Sequence, residues 1–395
     1  MKRNCPICDG PPTRPLYHQT FSQMSAAVPI QGYDVVVCQT CGFGYADHIP
    51  TQKELDAYYK EMSKYEHKHQ AGRVSGVALA NYQKIVDGLR PFLPRKEARI
   101  ADIGCATGGL LSVFQRNGYT NLIGVDPSPS CARTAAELYG MKVITSSLFD
   151  VASFDHPFDL LVFSSVLEHV PDLTGALSKM RPLLGADGLI FIEVPDTVNF
   201  ASWASAPFQQ FSVEHVNFFS PTSLSNLMNR HGFEPVAIWH DVRTLGEVKE
   251  PALTSLFRRV DNASRALAPD HETPIALEHY IQCSQADDAA VLQRIEALVS
   301  RGRPILVWGT GTQTQRLLAS TSLGKAPIRA FVDSNANYQG KQLNGIPILA
   351  PADLAGCAEP IVISSRVFQE EIATQIRDVL RMNNEIVRLF DVPRN

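Results

Sequence analysis

The hydrophobic positions between residues 98 and 240 fall into short apolar runs, separated by longer segments with helical periodicity. Such runs predict strands, and the segments between them predict helices. We expect strands at 98–103, 121–126, 142–145, 159–163, 188–194 and 234–239. Strands that alternate with helices form a parallel sheet, and its ligands bind beyond the carboxyl ends of the strands. The pattern therefore predicts a doubly wound α/β sheet.

Other patterns lie on both sides of this sheet. A tyrosine-rich helical pattern covers 51–93, and a polar helical pattern covers 241–301. Strands are then expected again at 304–308, 328–332 and 360–365, with a helix at 370–380. A chain of 395 residues is long enough for two or three domains with their own cores. We divide it into an N-terminal segment (1–50), a helical lid (51–95), a first α/β domain (96–240), a helical linker (241–300) and a smaller α/β domain (301–395).

The turn after the first strand of the sheet carries candidate ligand-binding residues. The strand ends at Asp102, the turn contains Gly104 and Gly108, and the next strand ends at Asp126. Glycine lets a backbone approach a ligand where a Cβ atom would clash. A carboxylate at the end of the second strand is placed to accept two hydrogen bonds from ribose hydroxyls. The GxxxG spacing is not the GxGxxG of pyrophosphate-binding turns, and a purely structural βα turn is the alternative.

Four of the eight cysteines form two CxxC pairs, Cys5 with Cys8 and Cys38 with Cys41. Two such turns can bring four thiolates around one tetrahedral zinc ion, which leaves no open position for catalysis. We therefore expect a structural zinc site that helps a short segment to fold. A redox-active CxxC is the alternative for either pair alone, but neither pair lies between a strand and a helix.

The composition indicates which kinds of molecule the protein is expected to bind. The net charge of −4 and the pI near 6.3 provide no basic surface for nucleic acid or an anionic membrane. No apolar stretch approaches 18 residues, and the N-terminus lacks the apolar core of a signal peptide. We expect a cytoplasmic protein that acts on a small molecule.

Two histidines follow strands at the predicted ligand edge. His169 lies in FSSVLEHVPD, and His215 lies in FSVEHVNFFS, just before the helix start predicted at Ser220. An imidazole titrates near neutrality, so it can take a proton from a substrate. The adjacent Glu214 could stabilise the protonated form, although neighbouring side chains in an extended segment point to opposite sides. A role in loop structure is the alternative for His215, and for His169 both a structural role and a substrate contact stay open.

Five features follow one another along the chain: the two cysteine pairs, DIGCATG, VLEHV, EHVNFFS and a second glycine-turn domain. In this order they resemble the features of the S-adenosylmethionine (SAM) dependent nucleotide-sugar C-methyltransferases. The resemblance covers nearly the whole chain. It implies a class I methyltransferase core, a zinc-binding N-terminal segment and a C-terminal Rossmann-like domain. It also implies that His215 removes a proton next to a keto group and that the enolate attacks the SAM methyl, with Glu214 and His169 near the sugar. The candidate SAM contacts are Asp102, Gly104, Cys105, Gly108, Asp126, Ser147, Leu148, Ser164 and Tyr65, the last from the lid.

One position departs from the resemblance. The sugar C-methyltransferases carry a tyrosine two residues before the Glu-His pair, and this chain has Ser212. Methylation of oxygen or nitrogen, on a sugar or another small molecule, therefore stays open beside methylation of carbon.

The C-terminal domain contains a second glycine turn, Gly309 to Thr314, and the strand after it leads to Asp333. The turn lacks the third glycine of a dinucleotide fingerprint, so the domain need not bind NAD. The resemblance implies that it holds the nucleotide part of the substrate, with the amides of Gly309 to Thr312 as candidate contacts. Three alternatives remain: a structural or dimerising domain, an NAD-dependent oxidoreductase, and a non-catalytic protein that binds SAM or a sugar nucleotide.

Overall fold

A computed structural model describes residues 2–22, 30–61, 74–151, 153–261 and 266–391. The N-terminal part contains three strands, β1 (Tyr17–Thr20), β2 (Gly32–Val37) and β3 (Gly44–Asp47), which pair in an antiparallel arrangement. Two helices of the predicted lid follow, α1 (Gln52–Glu61) and α2 (Gly76–Leu89). Tyr65, the candidate lid contact, lies outside the described residues.

The central unit follows the predicted alternation of strands and helices. Its elements are β4 (Arg99–Ile103), α3 (Gly109–Arg116), β5 (Asn121–Asp126), α4 (Pro129–Tyr139), β6 (Val143–Thr145), β7 (Phe158–Ser164), α5 (Leu173–Met180), β8 (Leu184–Pro195), β9 (Asn217–Phe218), α6 (Pro221–Arg230), β10 (Phe233–Leu245) and β11 (Val248–Arg259). Seven strands form one sheet in the order β6-β5-β4-β7-β8-β11-β10, in which β4 to β8 are parallel. The hairpin of β10 and β11 pairs in an antiparallel sense with β8.

Helices cover both faces of this sheet. Apolar side chains of α2 and α3 pack on one face, and those of α5 and α6 pack on the other. Burial on both faces explains why the strands are continuous apolar runs rather than alternating ones. The core therefore lies within the sheet and leaves the carboxyl ends of the strands free to carry polar side chains.

The short strand β9 belongs to the N-terminal sheet, where it pairs with β3 through Tyr45 opposite Asn217 and Gly44 opposite Phe218. Residues 211–216, which include the histidine loop, thus lead directly into the N-terminal sheet. Strand β9 comes from the central part of the chain but pairs with the N-terminal segment that the sequence predicts to bind zinc. The two parts therefore pack as neighbours.

The predicted helical linker is partly wrong. Residues 248–259 are β11, and only the later part forms a helix, α7 (Glu272–Val299). Strand β10 also continues to Leu245, beyond the expected end at 239. The central sheet therefore includes a hairpin that the polar pattern did not indicate.

The C-terminal unit contains β12 (Ile305–Trp308), α8 (Thr312–Ser320), β13 (Ile328–Val332), β14 (Gln342–Leu343), β15 (Ile346–Leu349), β16 (Ile361–Ile363), α9 (Gln369–Thr374) and β17 (Ile386–Arg388). Its sheet has the order β14-β15-β13-β12-β16-β17, and all pairs except β14 with β15 are parallel. None of the helices described is long and apolar enough to cross a membrane.

Candidate functional site

The first glycine turn lies between β4 and α3. Gly104 and Gly108 have φ angles of +76° and +77°, in the left-handed region that favours glycine. A Cβ atom at Gly104 would lie 2.7 Å from Cγ2 of Val166, in the loop after β7. The turn therefore needs glycine for its own backbone, and it touches the loop that carries His169.

Two acidic side chains flank this turn. The Asp126 carboxylate accepts hydrogen bonds from the backbone N–H of Ala106 and of Ser128, each at 2.9 Å. These two bonds hold the carboxylate at the carboxyl end of β5, beside the glycine turn. Asp102 is 3% exposed, and among the described residues no hydrogen bond reaches its carboxyl group. Burial, together with the charge of Asp126, raises the pKa of Asp102 to about 8.

The two predicted histidines meet at the same edge of the sheet. Their ring centroids are 5.0 Å apart, and the rings are steeply inclined to each other. Nδ1 of His169 lies 3.0 Å from the backbone carbonyl of Glu214. A carbonyl only accepts, so Nδ1 carries the proton and Nε2 of the neutral ring carries the lone pair. Glu168, which is fully buried, places Oε1 3.8 Å from this Nε2.

The histidine loop is held by hydrogen bonds from three directions. The Ser212 hydroxyl accepts from the backbone N–H of Glu214 and of His215, at 3.3 and 3.1 Å. The backbone N–H of Val216 donates to the carbonyl of Glu168 at 2.8 Å. The Asn217 amide donates to the carbonyls of residues 167 and 170 at 2.8 and 2.7 Å. These bonds fix the two histidine-bearing segments relative to each other.

Comparisons with known proteins assign the central unit to a type of domain. Residues 78–238 match a family model described as a methyltransferase domain, and residues 302–387 match one described as C2185-like, N-terminal. The chain is 27% identical to C-methyltransferase NovU of Streptomyces niveus over 337 residues, 82% of this chain and 77% of the relative. The chain is a SAM-dependent methyltransferase.

Shorter relatives match the methyltransferase domain alone. A ubiquinone biosynthesis O-methyltransferase of Cereibacter sphaeroides is 29% identical over 160 residues, 36% of this chain and 63% of its own length. Among solved structures, the 1,6-didemethyltoxoflavin-N1-methyltransferase of Burkholderia thailandensis covers 56% of this chain and 97% of its own, with 19% identity and a TM-score of 0.43.

The cofactor candidates of the methyltransferase differ in where their side chains lie. Cys105 packs into the core, where a Cβ atom at Gly124 would meet its sulfur at 2.4 Å, so only its backbone faces the turn. Leu148 packs partly against the core, and the Ser147 hydroxyl donates to Asp150 at 3.0 Å. The Ser164 hydroxyl donates to Glu193 at 3.2 Å. SAM contacts at these positions stay predictions.

The fit to SAM depends mainly on the charge of the turn. SAM carries a sulfonium and an ammonium group, and a buried carboxylate without a hydrogen-bond partner gains most from a cationic neighbour. Asp102 would become such a carboxylate by releasing its proton when a cationic ligand binds, and Asp126 adds a second at the end of the next strand. The residues of the turn therefore fit a ligand with a ribose and a positive charge.

Tyr58 of α1 is a site residue that the sequence analysis did not single out. Its hydroxyl donates to Oε1 of Glu214 at 3.0 Å, and burial next to this carboxylate raises its pKa well above the ordinary value. The sequence contained one signal, a cluster of tyrosines in the predicted lid, but the prediction favoured Tyr65. The phenol reaches the histidine loop from a different element than position 212.

A second polar cluster was also missed. Arg243 of β10 donates to the Ser165 hydroxyl at 2.5 Å and lies 3.5 Å from Glu193 and 3.4 Å from Glu250. Ser165 follows β7 and Glu193 lies near the end of β8. Arg243 and Glu250 belong to the β10–β11 hairpin, which the sequence analysis did not predict. The cluster joins the end of the sheet to the hairpin.

The four paired cysteines of the methyltransferase come together as predicted. Their sulfurs all lie within 4.8 Å of one another, with 3.6 Å between Cys5 and Cys41 and 3.3 Å between Cys8 and Cys38. Sulfurs around a tetrahedral zinc ion are separated by about 3.8 Å when Zn–S bonds are about 2.3 Å. Hydrogen bonds from the Cys41 and Cys5 thiols hold the pKa of Cys38 well below its usual value, and the same bonds and burial raise the pKa of Cys5 and Cys41, so in the metal-free cluster the thiolate is on Cys38. The donor set fits zinc.

The second glycine turn repeats the arrangement of the first. The backbone N–H and the hydroxyl of Thr310 donate to Asp333 at 3.0 and 2.6 Å, and the N–H of Asn335 donates to its other oxygen at 2.8 Å. Thr314, at the position of the missing third glycine, donates to the carbonyl of Gly309 at 2.9 Å. Burial raises the pKa of Asp333.

Proposed function

We propose that this methyltransferase transfers the methyl group of SAM to a carbon atom next to the keto group of a nucleotide-linked sugar, with His215 as the general base. The observation that supports this most is the meeting of His215 and His169, 5.0 Å apart, beside the glycine turn. The contact between Gly104 and Val166 brings the cofactor turn against the segment that carries His169. A base and a methyl donor would thus share one pocket.

The residues of the pocket suit proton removal from carbon. SAM supplies an electrophilic methyl group when bound, so the enzyme must mainly provide a nucleophile and align it. His215 would take the proton, and the buried Glu168 carboxylate, within 4.8 Å, would stabilise the resulting imidazolium. At an effective dielectric constant of about 20, that attraction is about 3 kcal/mol. General-base catalysis of this kind contributes roughly 10²- to 10⁴-fold in rate.

The serine at position 212 is compatible with this chemistry. Its hydroxyl accepts hydrogen bonds from the loop backbone, so it stabilises the loop rather than facing a substrate. Tyr58 supplies a phenol beside Glu214. The loss of a tyrosine at 212 therefore does not remove the phenol from the acceptor side. The relative from Streptomyces niveus is a C-methyltransferase, which favours carbon over oxygen or nitrogen.

The N-terminal segment would serve this reaction by holding the histidine loop. Zinc on Cys5, Cys8, Cys38 and Cys41 would fix the segment, which pairs with β9 directly after the loop. Arg3 adds a second link, because its guanidinium donates to the Asn217 side chain at 3.2 Å and to the carbonyl of Pro171 at 3.0 Å. The proposed zinc is structural and takes no part in methyl transfer.

The C-terminal unit would act as a Rossmann-like domain that holds the nucleotide of the substrate. A Cβ atom at Gly311 would meet open space, so the turn before α8 has room for a ligand. Arg366 follows β16 at the same sheet edge, with a side chain 2% exposed, and its Nη1 lies 3.9 Å from Glu247. Within the described part of the chain, its Nε and Nη2 have no hydrogen-bond partner. A buried guanidinium of this kind favours an anion such as a phosphate group. NAD is not required in this proposal.

Kinetics of a His215→Ala variant test the proposal. We expect kcat with nucleotide-linked keto-sugars to fall by about 10²-fold or more, while calorimetric SAM affinity stays nearly unchanged because the base acts only on the acceptor. His240→Ala is the matched control, since His240 also pairs with a carboxylate, Asp196, but is not one of the clustered residues Glu168, His169 and His215. A near-normal kcat for His215→Ala would refute the base and make His169 the next candidate.

A further inference from the structure

Three side chains of the candidate site converge on one point. Glu168 offers a carboxylate oxygen, and His169 and His215 each offer a ring nitrogen, and these three atoms all lie within 4.8 Å of one another. Glu168 is fully buried, whereas both histidines are only partly buried. The three residues come from two segments that hydrogen bonds hold together, because the Val216 N–H donates to the Glu168 carbonyl.

The hydrogen bond of His169 leaves the nitrogen that faces the cluster unprotonated. Nδ1 donates to the carbonyl of Glu214, so the lone pair is on Nε2, which lies 3.8 Å from Oε1 of Glu168. Histidines that bind metals commonly donate their other N–H to a backbone carbonyl, which fixes the tautomer and the ring orientation. His169 thus already has the protonation and the second hydrogen bond of a metal ligand.

The spacing and the charge of the cluster also suit a cation. With metal–ligand bonds of about 2.1 Å, neighbouring ligand atoms are about 3.4 Å apart in a tetrahedral site and about 3.0 Å apart in an octahedral one. The separation of 3.8 Å between His169 and Glu168 therefore needs to shrink by about 0.4 Å for a tetrahedral site and by about 0.8 Å for an octahedral one. The Glu168 carboxylate adds a negative charge to the two imidazoles, and a divalent ion would balance that charge.

We propose that Glu168, His169 and His215 form a binding site for a divalent transition-metal ion, separate from the cysteine cluster. Two imidazoles and one carboxylate are a ligand set that Fe(II), Co(II), Ni(II) and Zn(II) accept, with further positions open to water or a substrate. The four thiolates of the cysteine cluster are softer ligands and favour zinc there. The two sites therefore differ in chemistry and can be distinguished by spectroscopy.

Binding of the ion would have a consequence that rests on the proposed function. Coordination uses the lone pair of His215, and a base needs the same lone pair to take a proton. Metal binding and proton removal by His215 exclude each other. The site would therefore make methyl transfer sensitive to inhibition by divalent transition metals, through competition with the acceptor rather than with SAM.

Cobalt titration of the full-length protein tests the site without any substrate. The protein is loaded with one equivalent of Zn²⁺, so that the cysteine cluster is filled, freed of unbound metal by gel filtration and titrated with Co²⁺ under anaerobic conditions. We expect one Co²⁺ per chain, seen by its d–d absorption. A thiolate-to-cobalt charge-transfer band should be absent, because such a band would mean that cobalt has entered the cysteine cluster. His215→Asn and Glu168→Gln should each weaken this binding at least tenfold. The matched control, His240→Asn, removes a histidine that pairs with Asp196 outside the cluster and should leave it unchanged.

Two results would overturn the proposal: absence of a cobalt ion with nitrogen and oxygen ligands, or unchanged affinity in both variants while each folds as judged by circular dichroism. Inhibition assays separate this proposal from the function of His215. Cobalt binding that leaves methyl transfer unaffected would overturn the claim that the ion blocks the base. Conversely, absence of cobalt binding together with a 10²-fold fall in kcat for His215→Ala would refute the metal site alone.

Discussion

Replacing the buried Asp102 by asparagine should stabilise the cofactor-free protein at neutral and higher pH. The pKa of this carboxyl group is raised from 3.8 to about 8, first by burial and then by the charge of Asp126. In the unfolded chain the group ionises near pH 3.8, whereas in the folded protein it keeps its proton up to about pH 8. The contribution of protonated Asp102 to the free energy of unfolding is therefore fully present below pH 3.8 and is lost as the pH rises to about 8.

The size of the effect follows from the width of this window. Each pH unit between the two pKa values costs about 1.4 kcal/mol, so the penalty grows by about 4 kcal/mol between pH 5 and pH 8. Asparagine does not titrate. We therefore expect the unfolding free energy of Asp102→Asn, relative to wild type, to increase by about 4 kcal/mol between pH 5 and pH 8. Asp187→Asn is the matched control, because Asp187 is exposed and meets water in both states.

Urea denaturation of the SAM-free protein at pH 5, 6, 7 and 8 measures this difference. Parallel curves for wild type and Asp102→Asn would refute the reasoning, because they would mean that Asp102 is ionised in the folded protein. The same titration bears on SAM. A cationic ligand favours the carboxylate, so calorimetry at pH 7 in buffers of different ionisation enthalpy should show proton release when wild type binds SAM and much less with Asp102→Asn.

Three further predictions concern other parts of the site. The purified protein should contain about one zinc per chain, and the Cys38→Ser variant should contain none, which elemental analysis measures. The variant should also have a lower kcat, because the N-terminal sheet holds the histidine loop. Asp126→Ala should weaken SAM binding about ten- to a hundredfold by calorimetry, from a loss of about 1.5–3 kcal/mol, whereas Asp333→Ala should not. Tyr58→Phe should lower kcat/KM about tenfold, from a lost hydrogen bond to the Glu214 carboxylate; an unchanged value would remove this contact from the mechanism.

The sequence predicted the central sheet well because its strands are buried on both faces and therefore appear as apolar runs. The bounds of β4, β5 and β7 differ from the predicted ones by a single residue at most. Strand β11 was missed because it belongs to a hairpin at the sheet edge, where exposed polar residues such as Lys249 interrupt the apolar pattern. Pattern analysis favours elements with a strong period, and this hairpin has a weak one.

The candidate site was predictable in its location more than in its contacts. Parallel topology places the ends of β7 and β8 at one edge, so sequence alone indicated that His169 and His215 lie on the same side. Their ring distance depends on the Asn217 bonds to residues 167 and 170, which the sequence does not reveal. The contact between Tyr58 and Glu214 spans 156 positions and depends on how α1 packs over the loop. Such contacts arise from tertiary packing, which has no local signature.

Isotope exchange tests the central claim, that His215 removes a proton from carbon before methyl transfer. Wild type and His215→Ala are incubated in D₂O with SAM carrying a ¹³C-methyl group and with a panel of nucleotide-linked keto-sugars, and the products are examined by NMR. The account predicts a new ¹³C-methyl group on a carbon next to the keto group, and deuterium exchange at that carbon by wild type but not by the variant. A methyl group found on oxygen or nitrogen, or exchange that persists in His215→Ala, would contradict it.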